Sequence, residues 1–238
     1  MKKNSLLLFG GTGAIGSAID KYFTGKNWDV TIVTRKSEST LSNLIEWDVL
    51  LQNSGLTSAQ MQSFEQRGPF NAVCWAQGMN VGDNIYNVNI DVHNSVYQAN
   101  VAFIIYSLAR LLQNNFLSKS ANLCIISSIW QNIARQDKMS YCVSKSALRG
   151  LVLSLAADLG KEKHMVNAVL PGVLDTPMTR RNLDQAQLAK ILGRTQHQSL
   201  PLIDDVARSV FDLCRPENRS ITGQFLSVDL GFENVTEL

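Results

Sequence analysis

Tyr141 and Lys145 are four residues apart, and Ser128 stands thirteen residues before the tyrosine. On a helix that spacing sets Tyr141 and Lys145 on one face, one turn apart. A free tyrosine has a pKa of about 10 and is a poor acid or base near neutrality. A neighbouring ammonium favours the phenolate, so Lys145 is expected to pull Tyr141 down toward the range where proton transfer is efficient. The Ser128 hydroxyl, arriving from another element, can hydrogen-bond a carbonyl oxygen beside the tyrosine. The three together form a device that donates a proton to a developing alkoxide. That is half of a ketone reduction; the other half is a hydride. Taken alone, the pair also has a bland reading, a partly buried tyrosine beside a surface lysine.

A hydride donor needs a binding site, and the start of the chain supplies a candidate. Ser5–Phe9 is a short apolar run, as expected of a strand buried on both faces of a parallel sheet. Gly10-Gly11-Thr12-Gly13-Ala14-Ile15-Gly16 follows, and residues 17–23 have helical character. In a strand, glycine turn, helix context the glycines let backbone approach a pyrophosphate, which faces the N–H groups of the helix start. The alternative is an ordinary glycine turn. Asp29–Thr34 is rich in β-branched residues and reads as the second strand. An NAD site usually has an acidic residue near the end of this strand. This chain has Thr34-Arg35-Lys36-Ser37, whose cations and hydroxyls suit a 2′-phosphate, so NADP (NADPH) is favoured over NAD. A solvated basic turn is the alternative.

The remaining elements alternate. Strands are expected at 43–49, 71–76, 123–127, 165–170 and 223–228, and helices at 58–67, 93–116, 139–160 and 204–214. Ser127-Ser128 falls at a strand's C-terminal end, where ligands bind in open parallel sheets. Residues 79–91 read as loop and 229–238 as a tail. The long helix at 93–116 is expected to bury Val96, Val101, Ile104, Ile105, Leu108, Leu111 and Leu112. Residues 174–200 carry Pro177 and a helical patch at 183–192, the best candidate for a mobile substrate lid. Alternation throughout argues a doubly wound α/β sheet in a single domain, 1–238.

Composition narrows the classes. In 238 residues, 45% are hydrophobic and 18% charged, so a sizeable core is possible and disorder is disfavoured. A formal net charge of +2 gives no reason to expect nucleic acid. No apolar stretch reaches membrane-span length, so no membrane is expected as a partner. Cys74, Cys124, Cys142 and Cys214 lack Cys-x-x-Cys spacing. His93, His164 and His197 are scattered, so no metal site is expected and structural or surface roles are favoured. Free thiols and no signal peptide read as a cytoplasmic protein.

With these pieces in order, the chain resembles a short-chain dehydrogenase/reductase over residues 5 to 231. The resemblance rests on the glycine turn, Asp48, Ala76-Gln77-Gly78, Ala99-Asn100-Val101, Ser128, Tyr141-x-x-x-Lys145, Pro171-Gly172, Ile221-Thr222-Gly223-Gln224 and Val228-Asp229. It implies a Rossmann-like seven-stranded parallel sheet in the order 3-2-1-4-5-6-7. It implies that Tyr141 is the general acid in reduction and that Ser128 orients the carbonyl. Lys145 would lower the tyrosine pKa and bind the nicotinamide ribose. Asn100 would hold a water relaying protons to Lys145, although a polar residue simply packed inside a helix is the alternative. Gly10, Thr12, Gly13, Ile15 and Gly16 would line the cofactor. Asp48 and Val49 would meet adenine, with Ala76 and Gly78 beside the ribose, and Pro171, Gly172, Val173 and Thr176 on the nicotinamide side. A homodimer or homotetramer is implied, pairing the helices at 93–116 and 139–160, with Phe103, Leu151, Leu153 and Leu155 available for the contact.

Three departures stand out. Ala14 occupies the place of the family's middle glycine, and Gly10, Gly13 and Gly16 follow the spacing of its extended branch. Trp75-Ala76-Gln77-Gly78 replaces Asn-Asn-Ala-Gly, and Val228-Asp229-Leu230-Gly231 replaces Val-Asp-Gly-Gly. The expected activity is NADPH-dependent reduction of a ketone or aldehyde, either a carrier-linked 3-oxoacyl group or a small molecule. A non-catalytic dinucleotide-sensing protein on the same fold is the alternative; an epimerase or dehydratase ranks lower, for lack of chain after residue 175. Trp130 and Gln131 read equally as substrate pocket or loop packing. Met178, Leu183 and Leu188 read as pocket wall or as the lid's underside.

Overall fold

A computed structural model describes residues 3–35, 43–50, 55–176, 179 and 184–235. Seven parallel strands form one sheet in the order β3-β2-β1-β4-β5-β6-β7. They are β1 (Ser5–Phe9), β2 (Asp29–Thr34), β3 (Leu44–Glu46), β4 (Phe70–Trp75), β5 (Leu117–Ile126), β6 (Met165–Pro171) and β7 (Phe225–Val228). The helices are α1 (Ala14–Gly25), α2 (Ser58–Arg67), α3 (Ile90–Tyr97), α4 (Phe103–Gln113), α5 (Met139–Asp158), α6 (Gln185–Leu192) and α7 (Ile203–Cys214).

The apolar run of β1 is explained by two cores. Leu7 and Phe9 join one face with Trp47, Trp75, Leu108 and Leu148, while Leu6 and Leu8 join the other with Ile19, Phe23, Val206 and Val210. A strand covered on both sides has no polar face, which is why it reads as continuous hydrophobic sequence. Cys74, Cys124 and Cys214 are buried in the second core as free thiols.

Two expectations from the sequence need correcting. The run expected at 93–116 begins at Ile90, because the Asn89 carboxamide oxygen accepts from the Asp91 and Val92 N–H groups. It ends at Gln113: Asn115 takes a left-handed conformation (φ 56°) and the Phe116 N–H reaches back to the Leu111 carbonyl. Between α3 and α4 lies one wide π turn, Gln98–Ala102. Ile105 points outward, 42% exposed, instead of joining the buried stripe. Strand β5 starts at Leu117, well before the expected 123. Its first residues include exposed Lys119 and Ser120, and the pairing with β4 shifts register there, so no strand pattern is visible.

The strand ends, glycine turn and α5 all meet at the C-terminal edge of the sheet. The segment expected to form a lid is tied at its base, where the Asp175 N–H donates to the Pro201 carbonyl. Within it, Asp184 caps α6 and bonds reciprocally with Gln187. Met178 and Leu183 lie outside the described residues; Leu188 is half-buried.

Candidate active site

Tyr141 is the third residue of α5, and Lys145 follows one turn later. The first turn of α5 has no side-chain cap of its own. Asp83, from the loop after β4, supplies one: its backbone carbonyl accepts from the Met139 N–H at 3.1 Å and its carboxylate from the Ser140 N–H at 3.0 Å. The Ser140 hydroxyl donates to the same carboxylate and lies 2.8 Å from His93 Nδ1. His93 is therefore an α3 contact to the residue preceding Tyr141. Neither Asp83 nor Ser140 carries a sequence signal, since each is a common loop or helix residue.

Lys145 is buried, and its ammonium donates to the Ile126 carbonyl at the end of β5 at 3.0 Å. It lies 5.6 Å from the centre of the Tyr141 ring. Burial lowers the lysine to about 8. Burial also pushes the Tyr141 phenol up to about 12; a hydrogen bond with Ser128 draws it only partly back, and neighbouring Cys142 adds to the rise. The shift of Tyr141 is upward, set by burial, where the sequence led to an expectation of a downward pull from Lys145. Desolvation opposes both charged forms.

Ser128 is buried at the end of β5, where it begins a short 3-10 turn, Ile129–Gln131, and accepts from the Trp130 N–H at 3.3 Å. Gln131 is a strut beneath it, accepting from the Ser127 hydroxyl at 2.8 Å, while its own carbonyl accepts from Ser146 on α5. Trp130 instead lines a cavity with Val173.

Asn100 sits in the π turn, a feature often found at functional sites. Its amide hydrogens go to the Met79 carbonyl (2.9 Å) and the Ser144 hydroxyl (2.8 Å), and its oxygen accepts from the Met79 N–H (2.7 Å). This ties the loop after β4 to α5 and leaves one lone pair on Asn100 Oδ1. A Cβ at Gly78 would stand 3.1 Å from that oxygen and 3.8 Å from Lys145 Nζ, so Asn100, Gly78 and Lys145 are mutual neighbours.

A cleft of about 630 Å³ opens over the glycine turn, lined by Gly10, Thr12, Gly13, Arg35, Asp48, Ala76, Gln77 and Gly78 among others. Gly10 has φ +75°, and a Cβ there would stand 2.6 Å from the Gln77 nitrogen. A Cβ at Gly16 would stand 2.1 Å from the Gly10 carbonyl oxygen, whereas one at Gly13 would meet nothing closer than 3.4 Å. Ala14 is exposed, so its methyl does not crowd the turn. No side chain caps α1, leaving its first turn open to an anion. Both polar atoms of the Gln77 side chain are buried without a partner among the described residues. These features fit a dinucleotide: the open helix start would suit its phosphates, and its polar atoms would give Gln77 partners. Val49, expected at adenine, is packed in the core and does not line the cleft, and Ile15 is partly packed against the α1 side of the sheet. Lys36 and Ser37 lie outside the described residues.

On the other side, Pro171 ends β6 and the Gly172 N–H donates to the Val228 carbonyl. A Cβ at Gly172 would approach Asp229 Cβ to 2.8 Å, so the close pairing of these two motifs explains the glycine. Thr176 accepts from the Thr179 N–H at 3.1 Å. The stretch expected to be a tail folds back: both Asp229 carboxylate oxygens accept from backbone, at Gly231 and Glu233, and Phe232 is buried against Trp130.

A family model described as "Enoyl-(Acyl carrier protein) reductase" (adh_short_C2) matches residues 15–233. The chain belongs to the short-chain dehydrogenase/reductase family. This short-chain dehydrogenase/reductase is accordingly an NAD(P)-dependent oxidoreductase. It is 25% identical over 199 residues to the 3-oxoacyl-[acyl-carrier-protein] reductase FabG of Buchnera aphidicola, covering 84% of this chain and 71% of that one. It is 23% identical over 248 residues to the L-rhamnose 1-dehydrogenase (NADP(+)) of Thermoplasma acidophilum, covering 97% and 96%. Its fold matches the crystal structure of a 3-oxoacyl-[acyl-carrier protein] reductase from Brucella melitensis with a TM-score of 0.85, at 21% identity and covering 98% and 92%. No helix among the described residues of this short-chain dehydrogenase/reductase is long and apolar enough to cross a membrane.

Proposed function

We propose that the protein reduces a ketone or aldehyde to an alcohol with NADPH, Tyr141 being the general acid. One arrangement carries this: Tyr141 and buried Lys145 stand one turn apart on α5, the ammonium 5.6 Å from the phenol ring, beside Ser128 at the end of β5. Bound NADPH would supply the hydride. Ser128 and Tyr141 both donate to the carbonyl oxygen, and Tyr141 passes its proton as negative charge develops there. Lys145 supports that charge and would hold the nicotinamide ribose, and Asn100 keeps Gly78 and α5 in register beside it. Thr176 and Pro171-Gly172-Val173 would border the nicotinamide.

Preference for NADP rests on Arg35 in the cleft wall, whose guanidinium suits a 2′-phosphate. Asp48 lies in the same wall, at the adenine end. The relatives named as 3-oxoacyl-carrier reductases and as a sugar dehydrogenase leave both carrier-linked and small-molecule carbonyls as substrates. We read the chain as one dinucleotide-binding domain with a lid over 174–200, working in the cytoplasm, where free thiols persist.

A homo-oligomer is part of this reading. Outward-facing Ile105, Tyr106, Val143 and Leu153 on α4 and α5 are 42%, 51%, 47% and 46% exposed and supply an apolar face. Phe103 is buried in the core, whereas Leu151 and Leu155 are half-exposed and Leu153 is exposed, so of the four residues expected to make the contact the three leucines reach the surface. A monomer by light scattering would refute the assembly.

The test is a fluorescence titration with NADPH and NADH, followed by a carbonyl screen with the wild type and Tyr141→Phe. Tight NADPH binding, turnover in the wild type, and loss of about 10²–10⁴-fold in the variant with binding kept are expected. Unchanged turnover in the variant would sink the mechanism. Binding without turnover across a broad panel would favour a dinucleotide sensor.

A further inference from the structure

Beside the Ser128 turn lies a cavity of about 220 Å³. Its floor is apolar, made by Trp130, Ile191 and Phe232, and three cations ring it: Arg135, Lys190 and Arg194. Arg135 comes from the loop after Ser128, Lys190 and Arg194 come from α6 and the turn beyond it, and Phe232 comes from the C-terminal turn. A solvated helix face would account for Lys190 and Arg194, four residues apart, but not for Arg135 joining them from another loop.

Trp130 and Phe232 meet edge to face, with centroids 6.1 Å apart. The Arg194 guanidinium stacks over Phe232 at 4.6 Å. A guanidinium resting over a ring face still has N–H groups to offer a planar or tetrahedral oxyanion. Among the described residues no carboxylate forms an ion pair with any of the three cations. Glu233, next to Phe232, has its oxygens on the Asn132 amide and the Ser227 hydroxyl.

The position limits what the cavity can hold. Trp130 is two residues from Ser128, and Val173, also in its wall, is two residues from Pro171. The volume is below the roughly 300–1,000 Å³ of whole-ligand pockets, so it suits one end of a small substrate. We infer that the cavity is a subsite for an anionic group, a carboxylate or a phosphate, borne by the carbonyl substrate a few atoms from the reacting carbon, with Arg194 as its principal partner. This rests on the reductase reading above and names the substrate class for it.

Two substrate pairs test the inference with NADPH as reductant: 4-oxopentanoate against its methyl ester, and dihydroxyacetone phosphate against dihydroxyacetone. In at least one pair the anion should have the higher kcat/KM by about tenfold or more, through KM. The pair that shows it separates carboxylate from phosphate. In the variant R135Q/K190Q/R194Q, whose changes are all on exposed side chains, that advantage should vanish while the neutral substrate's rate is kept. Calorimetric titration of the protein with succinate and with inorganic phosphate reads the subsite without turnover, and the triple variant should bind about tenfold more weakly or not at all. The inference is overturned if neither anion binds the wild type, if the variant binds them equally, or if the anionic preference survives the substitutions. It is also overturned if only carrier-linked substrates are reduced. Anion binding that the variant loses, with no carbonyl reduced, would support the subsite and count against the reductase reading instead.

Discussion

The Asp83 carboxylate grips the first turn of the helix that carries Tyr141, accepting the Ser140 N–H at 3.0 Å and the Ser140 hydroxyl on its other oxygen. A helix start without its own cap leaves N–H groups unpaired. Here a loop from the neighbouring strand supplies the acceptor and fixes where α5 begins, hence where the phenol sits. Asp83→Ala should destabilise the fold by about 1–2 kcal/mol, as loss of a capping group does. That corresponds to a fall in Tm of roughly 2–8 °C for a chain of this size. It should lower kcat more than it raises KM. Asp83→Asn keeps an oxygen for the Ser140 N–H and should recover most of both. Thermal melts and steady-state kinetics on the two variants check this.

The rate of carbonyl reduction should fall as pH rises through about 8. Lys145 titrates there because burial disfavours its ammonium, and its charge is lost above that value. Tyr141, pushed up to about 12, remains protonated across the range and contributes no loss of its own. A kcat/KM profile from pH 6 to 10, which reports groups of the free enzyme, reads the fall; a flat profile across that range would remove Lys145 from the proton-transfer step.

Within the glycine turn, Gly16 and Gly13 should respond differently to alanine. A methyl at Gly16 would overlap the Gly10 carbonyl at 2.1 Å, whereas at Gly13 the nearest atom is 3.4 Å away. Gly16→Ala is expected to destabilise the protein by about 1–3 kcal/mol, the usual range for overpacking. Gly13→Ala should leave stability nearly unchanged. Urea unfolding of the two variants makes the comparison, and equal losses would contradict the geometry.

Arg35 borders the cleft from the end of β2. Arg35→Asp removes a guanidinium suited to a 2′-phosphate and adds a carboxylate that repels one. The ratio of NADPH to NADH affinity should fall by about 10- to 100-fold, the scale of one or two charge-assisted hydrogen bonds. Parallel fluorescence titrations measure that ratio, and an unchanged value would mean that the phosphate is held elsewhere.

The strand order, the glycine turn and the spacing of Tyr141 and Lys145 were legible in the chain alone. The patterns behind them are local matters. Leu6 to Phe9 are apolar without alternation because both faces of the strand are covered, and Tyr141 and Lys145 share a face because a helix turns every 3.6 residues. Tertiary structure decided the electrostatics and the walls. The direction of the Tyr141 shift depends on how much protein surrounds the phenol, which spacing to a lysine cannot report. The cap on α5 comes from Asp83, in a different loop, and Phe232, read as part of a tail, reaches Trp130 only because Asp229 turns the chain back. Such contacts join residues distant in sequence, and each side chain involved is ordinary in its own neighbourhood. Packing gives them their roles, because only the folded sheet sets the end of β5, the start of α5 and the C-terminal turn side by side.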